Sequence, residues 1–297
     1  MEQTKQKHIR ILYNPKAGNG EGKQTAEAVW LYSKEPNTDC YDLTDPRVCE
    51  QFIKEVTADD TVILCGGDGT LMQFVNSVEP LLPNCRLLYY ASGSGNDFAR
   101  DVDSPKSESI DLFPYLSNLP SVTVNGQTYR FLNGVGFGID GYCCEEGDRL
   151  RKTAKKAVNY TKIAIKGLLF HYHPTNAVVT VDGVEHRYRN VWLAPTMNGR
   201  YYGGGMIPTP GQDRLHNETV STLIMHDAGK LRTLFIFPSI FKGTHIRHKN
   251  VCEVLHGRVI SVAFDNPTPL QIDGETFTNV TDYTVRAPLQ NDDTKTS

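Results

Sequence analysis

The sequence predicts an α/β protein with a parallel-sheet first half and an antiparallel β second half, and three observations carry that class. Ahead of about residue 120, short apolar runs of strand length alternate with segments of helical spacing. Beyond it, the dipeptides Asn125-Gly126 and Asp182-Gly183 each separate two strand-like runs, the signature of a two-residue hairpin. Within the first half, turns rich in glycine or asparagine follow three of the strands, at 14–18, 66–70 and 93–97. Ligands of open parallel sheets bind beyond the carboxyl ends of the strands, so these turns are expected to face one crevice.

Taken in order, residues 8–13 (HIRILY) read as a buried strand closed by Asn14-Pro15, and 22–32 carry helical spacing up to a breaker at Pro36. Residues 39–43 form a short strand, 47–56 a helix, 61–64 a strand, 70–78 a helix, and 86–90 a strand ending in Ser92-Gly-Ser-Gly-Asn-Asp97. Repeated βα units imply a parallel sheet covered by helices. The grammar changes near 118–130. Residues 121–124 and 127–132 form one hairpin and 177–181 and 184–188 a second, with further strands at 190–194, 219–225, 259–264 and 270–272. Only 150–170 and 231–241 look helical in this half, and the polar tail 290–297 is expected to be disordered. No internal repeat is present.

A chain of 297 residues is long enough for two domains, each with its own core. Its net charge of -3 provides no global basic field, which argues against a protein that coats nucleic acid phosphates. The seven cysteines are odd in number and form no CxxC pair, favouring free thiols in a reducing cytoplasm over a disulfide framework or a zinc site. The N-terminus has no apolar core of a secretory signal, and no apolar run is long enough to span a bilayer. Any meeting with a membrane is expected from the side.

The stretch Cys65-Gly-Gly-Asp-Gly-Thr-Leu-Met-Gln-Phe74 places glycines where a strand passes into a helix, a context suited to phosphate. Asp68 in its centre would repel one. Either Asp68 is a solvated turn former, or a divalent cation lies between carboxylate and phosphates, as Mg²⁺ does when held by one or two carboxylates. The run 14–24 is not a P-loop: the first glycine of that motif would stand at Ala17, and Gln24 replaces the Ser or Thr that holds magnesium. In the second half, Asn133-Gly-Val-Gly-Phe-Gly-Ile-Asp140 is dense in glycine, and Gln271-Ile-Asp-Gly-Glu275 sets two acids around a glycine; alone, each reads more readily as a hairpin turn than as a site. His171 and His173 read as surface histidines, and His245, after an apolar segment, is placed to line a cleft. No GxSxG hydrolase signature is present.

In order, Asn14-Pro15 to Gly18, Gly66-Gly-Asp-Gly-Thr70, Gly93-Ser-Gly-Asn-Asp97, the 133–140 run, Gly203-Gly-Gly-Met with Pro208, and Ile272-Asp-Gly-Glu275 resemble the diacylglycerol kinase catalytic-domain family over roughly residues 8–288. That resemblance implies a nucleotide-binding α/β domain at 1–125, a β-sandwich lipid-substrate domain at 126–282, a return of about 283–290 to the first domain, and ATP with Mg²⁺ in a cleft between them. By the same resemblance, Asn14, Pro15, Lys16, Ala17, Gly18, Thr44, Gly66, Gly67, Asp68, Gly69, Thr70, Leu71, Met72, Gln73, Ser94 and Asn96 contact ATP. Asp68, Asp97 and Asp140 join the metal and water network, Glu275 is the general base, and Asp273 orients substrate or binds metal. The chemistry agrees, because phosphoryl transfer asks for positioned phosphates, neutralised charge and an oriented hydroxyl.

The sequence departs from the family at Met72-Gln73, where Asn-Glu is usual, and at Asn217-Glu218, where some members have an Asp-Gly turn at a structural Mg²⁺ site. If that site is kept, its ligands are the backbone of Leu215 and Val220 with the Glu218 carboxylate. The leading expectation is an ATP- and Mg²⁺-dependent lipid kinase acting on a membrane alcohol, foremost diacylglycerol giving phosphatidic acid. The rivals are a catalytically silent lipid-binding or regulatory member, favoured by the departures, and an NAD-kinase-like enzyme, disfavoured because Thr209-Pro-Gly-Gln does not continue as that family's motif does. The expected setting is cytoplasmic with peripheral membrane contact through 231–242 or 163–170, each of which also reads as an ordinary core helix, and a homodimer is compatible with it.

Overall fold

The computed structural model describes residues 8–105, 108–153, 160–216 and 218–288. They form two compact units that divide between Ser117 and Asn118.

In the first unit β1 (Ile9–Tyr13), α1 (Ala17–Gly20), α2 (Gly22–Ser33), β2 (Thr38–Asp42), α3 (Pro46–Glu55), β3 (Thr61–Gly66), α4 (Asp68–Ser77), β4 (Arg86–Ala91), α5 (Asp97–Asp101), β5 (Ser109–Asp111) and α6 (Phe113–Leu116) follow in sequence. The sheet order is β2-β1-β3-β4-β5, parallel throughout except where β5 runs antiparallel to β4. Ile9, Ile11, Ile63 and Cys65 pack with Ala26 of α2 on one face. Alternation turns Leu12 and Leu64 to the other face. The buried rings of Phe52, Phe74, Tyr89 and Phe98 belong to the same core, and Tyr89 meets Phe98 edge-on at 5.8 Å between centroids. α3 begins where the sequence allows it, with Asp45 accepting the N–H of Arg47 and Pro46 in the first turn, where a missing N–H costs nothing.

Arg10 is a cation inside a buried strand, and such a charge is expensive without partners. It donates to Asp60 Oδ2 at 2.7 Å, the Tyr41 hydroxyl at 2.6 Å and the Glu55 carbonyl at 2.9 Å. Burial disfavours the Asp60 charge, but the Arg10 hydrogen bond and the Thr57 N–H outweigh it and hold the carboxyl below its ordinary pKa.

The second unit contains β6 (Ser121–Val124), β7 (Gln127–Arg130), β8 (Gly134–Phe137), α7 (Ile139–Thr153), α8 (Tyr160–Lys166), β9 (Thr175–Val181), β10 (Val184–Val191), β11 (Thr196–Met197), β12 (Val220–Met225), α9 (Lys230–Ile236), β13 (Cys252–Gly257), β14 (Val259–Ile272) and β15 (Glu275–Arg286). The long β14 organises this β-sandwich unit: β15 pairs along it, β8 pairs with its end at 270–272, and β9 with its start at 260–264. All described pairings in this unit are antiparallel. Asn125-Gly126, Asp182-Gly183 and Asp273-Gly274 all have positive φ and close two-residue hairpins, as the first two were expected to do. A helical layer built on α7, α8 and α9 packs through Ile139, Ile163, Ile236 and Phe237 onto a core containing Trp192, Leu223 and Met225.

Several expectations change. The 133–140 run is no turn. It is the buried strand β8 leading into α7, and its glycines serve close approach: a Cβ at Gly136 would stand 1.6 Å from the Asp140 carboxylate. The helix expected at 150–170 begins earlier, at Ile139, and beyond the described break is α8 followed by a π-helical turn at Gly167–His171; 154–159 lie outside the described residues. The helix expected at 231–241 ends at Ile236 and tightens into a 3-10 segment, Phe237–Lys242, because Pro238 has no N–H to continue it. Strands expected at 259–264 and 270–272 are one strand with irregular pairing between Ala263 and Leu270, where Pro267 and Pro269 cannot donate. His245 lines no cleft: it is fully buried, its Nε2 lies 2.9 Å from the Pro208 carbonyl, and burial lowers its pKa. The boundary drawn at 125/126 falls in the β6–β7 turn, whereas β6 belongs with β15, since Ser121–Thr123 pair with Thr284–Arg286. The expected return at about 283–290 is not made by its first residues, since Tyr283–Arg286 stay in β15 paired with Val259–Val262, and residues from 289 on, like the tail 290–297, lie outside the described residues. All seven cysteines are free thiols.

Candidate active site

In the first unit β1, β3 and β4 end in register, with Tyr13 opposite Cys65 and Cys65 opposite Tyr90, so the turns that follow them meet. Asn14 Nδ2 donates to Thr70 Oγ1 at 3.2 Å, and Asn14 Oδ1 accepts the Lys16 N–H at 2.9 Å. Ser92 N–H donates to the Gly66 carbonyl, and Gly93 N–H to Asn96 Oδ1 at 2.8 Å. The second and third turns approach so closely that a Cβ on Gly93 would lie 2.5 Å from Gly67 Cα. Glycine is required there by contact. Beside this knot an open depression of about 600 Å³ is lined by Gln24, Tyr90, Ser92, Gly93 and Asn96.

Asp68 opens α4 and holds α5: its Oδ2 accepts the Asp97 N–H at 3.1 Å and its Oδ1 the Phe98 N–H at 3.0 Å. Asp97 is buried next to it, with Arg100 3.9 Å from its Oδ1. Two carboxylates therefore stand where bare glycine turns and helix starts would favour an anion. An all-oxygen donor set of two acids suits Mg²⁺ and not a soft metal, so the residues fit a magnesium ion that partners phosphates.

Other expected residues are dispersed. Thr44 follows β2, and its hydroxyl donates to Asp42 Oδ1 at 2.7 Å. Leu71 and Met72 are buried in the core, and the Leu71 N–H is taken by the Gly67 carbonyl at 3.0 Å. Pro15, Ala17, Gly18 and Gly69 are half-buried within the turns, while Gln73 and Ser94 are exposed.

The second unit holds the remaining acids. Asp273, buried at the β14–β15 turn, accepts the N–H groups of Leu132 at 2.6 Å, Asn133 at 2.8 Å and Gly134 at 3.0 Å. It fastens the entry to β8. Glu275, two residues on, is exposed at the first position of β15, opposite Ile272. Asp140 is buried in the first turn of α7, and burial pushes its pKa up to about 6 although the N–H groups of Gly141 and Asp140, the Tyr202 hydroxyl and the Gln271 amide pull the other way. None of these groups reaches its oxygens in good hydrogen-bond geometry. Tyr202 and Gln271 had no assigned role, although both stand inside or beside the glycine motifs that carried the resemblance.

Leu215, Glu218 and Val220 were expected at a structural magnesium site. The Glu218 carboxylate lies 3.7 Å from the Arg258 guanidinium, the Leu215 N–H donates to Asp213 at 3.0 Å, and Val220 is the buried first residue of β12, paired with Gly257. Among the described residues no three acids, histidines or cysteines gather around a possible metal position.

A parallel α/β unit with glycine turns bound around paired carboxylates, followed by an antiparallel β-sandwich unit, defines an α/β plus β-sandwich class. Residues 8–118 match the diacylglycerol kinase catalytic domain, and 133–288 match the YegS C-terminal NAD kinase beta sandwich-like domain. The chain belongs to the diacylglycerol kinase catalytic-domain family, in the arrangement that carries the YegS-type second domain. It is 25% identical over 257 residues to a diacylglycerol kinase of Mycobacterium tuberculosis, covering 80% of this chain and 79% of the relative. A Bacillus subtilis diacylglycerol kinase is 24% identical over 284 residues, covering 91% and 90%. A crystal structure of a diacylglycerol kinase from Bacillus anthracis shares the fold, with a TM-score of 0.60 at 19% identity over 95% of this chain and 94% of that one.

Proposed function

We propose that this lipid kinase transfers the γ-phosphate of ATP to the hydroxyl of a membrane lipid, with diacylglycerol the foremost substrate and phosphatidic acid the product. The observation that carries the reading is the knot of three turns tied by Asn14, Asn96 and Asp68, within a chain whose two halves both match the family. In the proposal the turns 14–18, 66–70 and 93–97 hold the nucleotide's phosphates. Asp68 and Asp97 would hold Mg²⁺, which when bound neutralises charge on the phosphates. Glu275 accepts the proton of the acceptor hydroxyl, and Asp140, whose raised pKa marks it as a candidate functional acid, stays among the reacting groups. Asp273 is reassigned to positioning, because its carboxylate is committed to three backbone donors. Among the described residues no helix is long and apolar enough to cross a membrane, and the lipid is proposed to be reached from the membrane surface.

The test is transfer of labelled γ-phosphate from ATP, with Mg²⁺, across diacylglycerol, ceramide, sphingosine, undecaprenol and NAD. Labelling of diacylglycerol above the others is expected. Labelling of NAD alone would overturn the lipid reading, and labelling of nothing would favour the silent member of the fold.

A further inference from the structure

The helical layer of the second unit buries its inner side and leaves large apolar side chains on the outer one. In α9, Leu231 and Phe235 are 79% and 81% exposed, and their spacing of four sets them on one face of the helix. Phe170, 68% exposed, stands in the π-helical turn that packs against α9, where Lys230 Nζ donates to the Leu169 carbonyl at 3.3 Å. Ile165 of α8 and Phe241 of the 3-10 segment add partly exposed apolar surface. Three strongly exposed large residues within two packed elements are unusual for a surface with no partner.

The charges around them select the partner. The chain has no Asp or Glu in 160–174 or in 228–250, while Lys166, Arg232, Lys242, Arg247 and Lys249 are exposed there. Of the described carboxylates beside this face, Glu146 of α7 is engaged by Arg149 at 2.6 and 2.7 Å, although it also interacts with Lys166 and His171, and Asp227, just ahead of α9, lies 3.0 Å from His226 Nδ1. The other exposed apolar cluster, Trp30, Leu31 and Tyr32 at the end of α2, is flanked by Glu27 and Glu35, so it lacks this one-signed rim.

We propose that Phe170, Leu231 and Phe235, with the basic side chains of Lys166, Arg232 and Lys242, form the surface by which the protein docks on an anionic bilayer. Apolar side chains at the boundary between headgroups and acyl chains, with a surround of Lys and Arg, are the two signals that together give stable peripheral binding. The purpose rests on the lipid-kinase reading; the binding itself does not. If the product is an anionic lipid, each turnover also strengthens the surface that holds the enzyme.

The experiment is sedimentation of the purified chain with vesicles of phosphatidylcholine alone or mixed with phosphatidylglycerol, without nucleotide, so that failure here is separate from failure of phosphate transfer. The wild type is expected to bind the mixed vesicles. Leu231→Ser with Phe235→Ser should lower partitioning about tenfold or more, since two exposed apolar side chains lose their burial. Arg232→Gln and Lys242→Gln should each cost about fivefold on mixed vesicles and nothing on neutral ones. Both pairs change exposed residues, and unaltered circular dichroism checks the fold. Absence of wild-type binding overturns the proposal, as does binding by the Ser variant equal to wild type. A dimer that the Ser variant converts to monomer also overturns it, because a second copy would then cover the face.

Discussion

Asp68 in the first unit and Asp273 in the second occupy the same local grammar, an acid beside glycine at the end of a strand, and both accept backbone N–H groups. Their surroundings separate them. Asp68 is half-buried, receives two donors from the start of α5, and stands beside a second carboxylate. Asp273 is buried, receives three donors from 132–134, and closes a hairpin. The comparison teaches that a Gly-Asp-Gly or Asp-Gly signal fixes a turn, while what the carboxylate is for depends on who donates to it and whether water can follow.

The largest expected effect belongs to the residue this comparison leaves exposed. Glu275 stands two positions beyond Asp273 and is exposed, and the amide keeps the size of the side chain, so Glu275→Gln should change stability by no more than about 0.5 kcal/mol. If it is the base, turnover falls roughly 10²- to 10⁴-fold while ATP affinity, measured by calorimetry, stays near wild type. Retention of more than about a tenth of turnover would move the proton acceptor elsewhere, with Asp97 the next acid to replace.

The paired acids sharpen the comparison at a smaller scale. An amide at 273 offers one acceptor oxygen in place of two, leaving a buried N–H of 132–134 without a partner at a cost of about 1–3 kcal/mol. The same change at 68 frees an N–H nearer to water and should cost about 1 kcal/mol or less, but it removes half the charge offered to Mg²⁺. Urea unfolding should therefore rank Asp273→Asn below Asp68→Asn. Turnover at limiting Mg²⁺ should fall far more in Asp68→Asn. Equal stability losses with near wild-type turnover at 68 would make both acids turn formers and nothing more.

How much of this was legible in the sequence follows the same division. In the first unit the parallel strands, the three turns and Asp68 could be read because apolar runs alternate with helices and each turn follows its strand directly. The hairpins at Asn125 and Asp182 were legible for an equally local reason, since two residues of positive φ decide them. What escaped was set by distance in the chain. Gly134 and Gly136 of β8 and Gly138 just beyond it have no room for a side chain because Met197, Asp140 and the Trp192 carbonyl stand against them, and no local pattern announces that. Leu71 and Met72 belong to the same motif yet are buried in the core, because α4 turns one face inward. The surroundings of Asp140 combine β8, α7, Tyr202 and Gln271, which only the folded sheet assembles.

Asp140 joins the two halves of the comparison, a buried acid like Asp273 without its donors. Burial raises its carboxyl from the ordinary 3.8 to about 6, so the native state binds the proton more tightly than the unfolded chain does. Where the native state holds the extra proton, stability falls as pH rises. The loss runs between about 3.8 and about 6, is absent below that window, and is complete above it, where it amounts to about 3 kcal/mol. Asp140→Asn removes the charge and should therefore flatten this part of the stability curve and raise stability above pH 6 by up to that amount. If Asp140 serves the reaction, the same variant loses turnover while it gains stability, the trade expected of a strained functional acid. Denaturation at several pH values beside a turnover assay reads both. A variant less stable than wild type above pH 6 would show that Tyr202, Gln271 and the helix N–H groups already compensate the charge, placing Asp140 with Asp273 among the structural acids.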